Sequence, residues 1–293
     1  MYQSVSEMLA ETDRSGRPLW EVILEDDCAE RGVKRENSLK EMRRIWEAMK
    51  QADAGYDGKI RSASGLVGTD GQKYAEARSR RESLCGPLMG SVIEKALKMG
   101  ESNACMKRIV AAPTAGACGV LPAVYLSLQE QRNLPDEQMI QALYVAGGFG
   151  GVIAARASLA GASGGCQAEI GSASSMAAAG AVFLCGGSPR QMADAAAIAL
   201  SNLMGLVCDP VAGLVEVPCV KRNVIGAVGA VSAADLTLAG IRAVIPADEV
   251  FDAMRKVGNA LPPDLRETGR GGLAATPTAM EITARIARSL TNS

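Results

Sequence analysis

Three cysteines stand where the chain cannot continue regular structure, and they are the residues most able to do chemistry. Cys166 follows two glycines in "GASGGCQAEIGSASS" (Gly161–Ser175), at the start of a run of small helix-forming residues. Cys208 precedes Asp-Pro and Cys219 follows Pro218 in "GLVCDPVAGLVEVPC" (Gly205–Cys219). A thiolate at a helix N-terminus is favoured by the dipole. At a Pro/Gly break, backbone N–H groups are free to donate to sulfur, as cluster thiolates require. No compact CxxC pattern occurs, so spacing alone does not demand a metal. Each cysteine reads by default as a small buried hydrophobe, with ligation as the competing reading. Cys28 and Cys185 fall in apolar helical contexts and read as structural; Cys105 fits either reading.

The chain has no histidine. Ser-His-Asp and Cys-His arrangements are therefore excluded within it, as is any imidazole-bound zinc. A general base must be a carboxylate, Lys, Tyr or Cys, or must come from another chain. Three thiolates without histidine favour iron–sulfur over zinc, whose structural sites want four ligands. A 4Fe–4S cluster on three thiolates leaves one iron open as a Lewis acid, which suggests a hydro-lyase. Two other classes compete: an electron-transfer or sensor protein with a four-thiolate cluster, and a helical protein whose cysteines are only core. A further break, "AAPTAGACGVLPA" (Ala111–Ala123), exposes backbone N–H groups that could hold a carboxylate, especially at a helix beginning after Pro122. It reads equally well as a tight interhelical turn.

The elements that must position these residues are helical. Ala-rich stretches such as "AEIGSASSMAAAGAVFL" and "NVIGAVGAVSAADLTLAGIRAV" are strong helix candidates, and β-branched runs of period two are scarce. With aromatics at 3% and 32 glycines in 293 residues, the core must be built from small and aliphatic side chains. The pattern predicts an all-α fold in a single domain. Its parts are a helical segment over 1–55, a polar connecting loop over 56–74, and a helical core over 84–293. In the first part, Leu39, Met42, Ile45, Trp46 and Met49 follow helical spacing, with Asn37 or Ser38 as cap and Gly55 as stop. The glycine-spaced loop reads as the hinge of the chain.

Apolar residues make up 48% and charged residues 22%, with a net charge of -1. Nothing in that balance favours nucleic acid or an anionic membrane. The window Gln167–Gly187 is apolar enough to raise the membrane question, but Glu169 and its Ala/Gly/Ser content predict a buried helix. The N-terminal residues lack the apolar core of a secretory signal, so the expected location is the cytoplasm, where thiols stay reduced.

Taken together, "GCQAEIGSASSMAAAGA", "NLMGLVCDPVAGLVEVPCVKRN" and "LRETGRGGLAATPT" resemble the α subunit of the iron–sulfur-dependent bacterial L-serine dehydratases, and "APTAGACGVLPAV" resembles that family's substrate loop. The resemblance runs from about Gly58 onward. It implies that Cys166, Cys208 and Cys219 hold a 4Fe–4S cluster and that Thr114, Ala115 and Gly116 help to hold the substrate carboxylate. It also implies elimination from L-serine to pyruvate and ammonia without pyridoxal phosphate, in company with a β subunit. L-threonine or L-cysteine could be handled on the same scaffold. The family's proposed base includes a histidine of the β part, so the absence of histidine here predicts a site completed by that partner. Cys118 lies in the substrate loop within possible reach of the cluster. Lys221 and Arg222 could meet substrate or balance the cluster's charge. No cysteine of the kind that caps the open iron in some single-chain relatives occurs in the closing "RSLTNS".

Overall fold

The computed structural model describes residues 2–81 and 83–291. Among these, thirteen helices occur and no strand ladder forms; a lone bridge pairs Cys208 with Arg266. Three helices come first: α1 (Val5–Ser15), α2 (Leu19–Arg31) and α3 (Arg35–Ala54). The Ser4 hydroxyl caps α1 by accepting the Glu7 N–H, and left-handed Gly16 closes it. The cap of α3 is Lys34, three residues before Asn37 and four before Ser38, and Ser38 is used elsewhere: buried, it donates to Asp27 and meets the Tyr144 hydroxyl. Trp46 and Met49 are buried as their spacing predicts, while Ile45 stays partly in solvent.

Helices α4 (Asp70–Arg80) and α5 (Gly86–Ala104) follow, then α6 (Val120–Arg132) and α7 (Asp136–Arg156). Helix α6 starts at Val120, so Pro122 sits inside its first turn, where a missing N–H leaves no bond unmade. A single turn, α8 (Gly161–Gly164), precedes the central α9 (Ser172–Leu184) and α10 (Pro189–Ser201). The chain then runs through α11 (Cys219–Leu238), α12 (Ala247–Ala260) and α13 (Pro277–Thr291).

Helix α9 is the axis of the molecule, packed against α6, α7, α10 and α11. Every residue of it except Phe183 is buried. Its small side chains allow this: at Gly180 an added Cβ would collide with the Tyr125 hydroxyl of α6. Its serines cost little to bury because they donate to neighbouring backbones, Ser174 to Gly226 at 2.8 Å and Ser175 to Ala196 at 3.0 Å. The window that raised the membrane question is thus enclosed by protein. Helix α7 is long and apolar enough to cross a membrane, and 67% of its apolar window is buried inside the fold.

The expected hinge is instead fastened at both ends. Glu101, 1% exposed, accepts backbone N–H bonds from Gly68, Asp70 and Gly71 and the hydroxyl of Tyr56. Glu216 accepts the hydroxyls of Ser62 and Ser64. The loop ends at Thr69, where α4 begins. The Glu101 anchor ties it to α5 and the Glu216 anchor to the start of α11, where Val67 packs on Val220 beside Cys219.

Candidate metal centre

Two of the three expected cysteines meet directly. The sulfurs of Cys166 and Cys208 and a carboxylate oxygen of Glu169 lie within 4.8 Å of one another. Cys166 precedes a π-helical turn, Gln167–Gly171, that leads into α9. Such turns insert a residue into a helix and recur at functional sites. The turn and the following helix are anchored: Gln167 donates to the Met254 carbonyl and accepts from Gly205 N–H. Cys208 is held by a two-way backbone exchange, its N–H donating to Leu265 and its carbonyl accepting from Glu267. Cys219 opens α11; it is buried and stands outside the 4.8 Å group, yet near enough that Cys166, Glu169 and Arg222 act on its charge.

Arg222, one turn along α11 from Cys219, joins the three. It donates to the Cys166 sulfur at 3.4 Å and to the Val207 carbonyl at 2.8 Å, and pairs with Asp209 at 2.8 Å. Asp209 in turn accepts the Leu273 N–H at 2.7 Å. Asp209 fixes the arginine that faces the thiols, and Glu216 fixes the loop beside Cys219. The thiol of Cys208 donates to Cys166 and, with the Arg222 guanidinium, holds Cys166 below its ordinary pKa; the same bond raises Cys208. Burial pushes the Cys219 thiol up to about 12. Burial also raises Glu169, and nearby Glu267 adds to that, against the Thr114 hydroxyl.

The expected substrate loop forms the facing wall. Thr114 donates to Glu169 at 2.7 Å. Ala115–Ala117 make a 3₁₀ turn in which the Ala115 carbonyl accepts from Asn103 and the Gly116 carbonyl from Asn223. Asn223 also accepts the Gly119 N–H and donates to the Cys219 carbonyl, so one side chain ties the loop to the third cysteine. Gly161 sits between wall and thiols. A Cβ there would stand 3.0 Å from Glu169 Oε2, 3.1 Å from the Cys208 sulfur and 3.3 Å from Glu267 Oε2. Ala115 and Glu267 are exposed, so the site opens to solvent on that side.

Cys118 does not take part: it is buried against α5 and donates to the Met99 carbonyl. Lys221 is also apart, largely exposed and 3.8 Å from Asp70. Sequence reading missed Glu169, Glu267 and Asn223. Two of them carried a usable signal, since Glu169 is three residues from Cys166 and Asn223 four from Cys219, both helical-neighbour spacings. The donor set fits an iron–sulfur cluster: two buried thiols converge beside a third, with a fixed guanidinium to balance negative charge.

The profile of the family described as "Serine dehydratase alpha chain" matches residues 14–274. The "Probable L-serine dehydratase, alpha chain" of Bacillus subtilis (strain 168) is 47% identical over 287 residues, covering 98% of this chain and 95% of that protein. The "L-serine dehydratase, alpha chain" of Peptoniphilus asaccharolyticus is 38% identical, covering 96% of this chain and 97% of its own. The "L-serine dehydratase TdcG" of Escherichia coli (strain K12) is 46% identical over 181 residues, which are 61% of this chain and 40% of that longer protein.

Proposed function

The chain belongs to the serine dehydratase alpha chain family, and from that premise we propose that it is the cluster-bearing subunit of an enzyme converting L-serine to pyruvate and ammonia. The observation that carries the proposal is the convergence of Cys166 and Cys208 on one buried point, with Cys219 and Arg222 beside it. In this reading Cys166, Cys208 and Cys219 hold a 4Fe–4S cluster. When bound, the cluster supplies a Lewis-acidic iron with a position open to a substrate oxygen.

The chain's own residues do the rest of the positioning. Arg222 balances thiolate charge from inside the protein, where Asp209 keeps it from swinging away. Thr114, Ala115 and Gly116 take the substrate carboxylate, the Ala115 and Gly116 carbonyls being turned back onto Asn103 and Asn223. Gly161 keeps the space in front of the thiols clear. A base from a partner β subunit removes the α-proton, a role that an imidazole of that partner would fill where this chain has none. The "alpha chain" in the relatives' names and the open side of the site both support a partner that closes over Ala115 and Glu267. A reducing cytoplasm suits the eight cysteines, all of which stand as free thiols.

Anaerobic co-expression with the β subunit tests the proposal. The purified pair should form pyruvate from L-serine, and either chain alone should not. Full activity from an iron-free preparation would overturn it.

A further inference from the structure

Glu169 is placed at a cost that one hydroxyl, that of Thr114, offsets only in part. It is partly buried, and the charged group that shares its space at Gly161 is Glu267, of like sign. Among the described residues no cation pairs with it; its side-chain partner is the neutral Thr114 hydroxyl. Arg222, the nearest candidate, is committed to Cys166, Val207 and Asp209. Yet the carboxylate is held in place. Thr114 donates to Oε1 at 2.7 Å, and the opposite oxygen, Oε2, borders the same small space at Gly161 as the Cys208 sulfur. One Glu169 oxygen lies within 4.8 Å of both the Cys166 and the Cys208 sulfur. A carboxylate beside thiolates is a hard oxygen donor added to a soft set, and a metal ion is the cation that would accept both.

A second feature narrows the role. Thr114 belongs to the loop assigned to the substrate carboxylate, and its hydroxyl is already engaged by a carboxylate of the protein. Glu169 therefore occupies, from within, the place that a substrate carboxylate would take between Thr114 and the thiols. We infer that Glu169 is a fourth protein ligand of the resting centre, capping the iron that the three thiolates leave open and yielding that position to the substrate carboxylate. The exchange is of one carboxylate oxygen for another, with no change in charge at the metal. The inference rests on the cluster reading given above.

The test uses the anaerobically purified holoenzyme, reduced to the paramagnetic state of its cluster, in water whose oxygen carries nuclear spin. Wild type should show no hyperfine coupling from solvent oxygen at the cluster, and Glu169→Gln should show it. On exposure to air, Glu169→Gln should lose its fourth iron roughly tenfold faster or more, the scale on which weakened metal sites respond. Should Glu169→Gln fail to retain a cluster, Thr114→Val serves in its place: it keeps the carboxylate, removes its anchor, and should speed iron loss. Solvent-oxygen coupling in wild type, or equal rates of iron loss in wild type and variant, would overturn the cap while leaving the cluster intact. A wild-type holoenzyme without iron and sulfide would overturn the cluster reading itself.

Discussion

Arg222 does the most structural work of any single residue at the site. Its side chain is 14% exposed and that of Asp209 3%, so the pair is buried, and its value lies in what happens when it is broken. Replacing a buried pair by well-packed apolar groups can be neutral, but removing one partner strands the other charge, at about 3–5 kcal/mol. Arg222→Ala should therefore destabilise the apoprotein by about that amount in denaturant unfolding, and should also weaken cluster retention because Cys166 loses its guanidinium. A variant as stable as wild type would show that Asp209 finds another partner. The closeness of Cys166 and Cys208 is consistent with their residue type and the breaks around them, which left ligation and core packing as competing readings. Arg222 was legible as a neighbour of Cys219 but not as a partner of Cys166, which is 56 positions away. Contacts of that range leave no periodic trace in a sequence.

At the level of helices, the small-residue pattern predicted the core well, since a run of Ala, Gly and Ser can be helical and buried at once. The π-turn at Gln167–Gly171 is not readable, because one inserted residue leaves no mark in a stretch where four of five residues are buried. The hinge was misread for a related cause: glycine spacing shows that a loop can bend, not that Glu101 and Glu216 hold it. Helix α7 is held at its start in a way that pH can probe. Asp136 lies in its first turn and accepts from Trp46, Lys50 and Gln129. Burial opposes the charge of Asp136, but these bonds prevail and bring its pKa down to about 2. A depressed carboxylate stabilises the fold above its unfolded pKa of about 3.9 and loses that contribution as pH falls toward the folded value. Asp136→Asn should thus be less stable than wild type at neutral pH, with the gap narrowing below about pH 4. A gap that does not change with pH would show that the charge of Asp136 contributes nothing.

For the whole molecule, the fold brings residues from four stretches of the chain into one neighbourhood. Cys166 and Glu169 come from the lead-in to α9, Cys208 from the break after α10, Cys219 and Arg222 from α11, and Thr114 from the turn before α6. Cys185 serves as an internal control, because it follows the last residue of α9, away from the other thiols, and is raised chiefly by burial. The most direct measurement is iron and acid-labile sulfide per chain after anaerobic isolation, for wild type, Cys166→Ala, Cys208→Ala, Cys219→Ala and Cys185→Ala. Wild type and Cys185→Ala should carry a full 4Fe–4S complement, and each of the other three should lose it. A Cys208→Ala or Cys219→Ala protein that keeps its full complement would contradict the account.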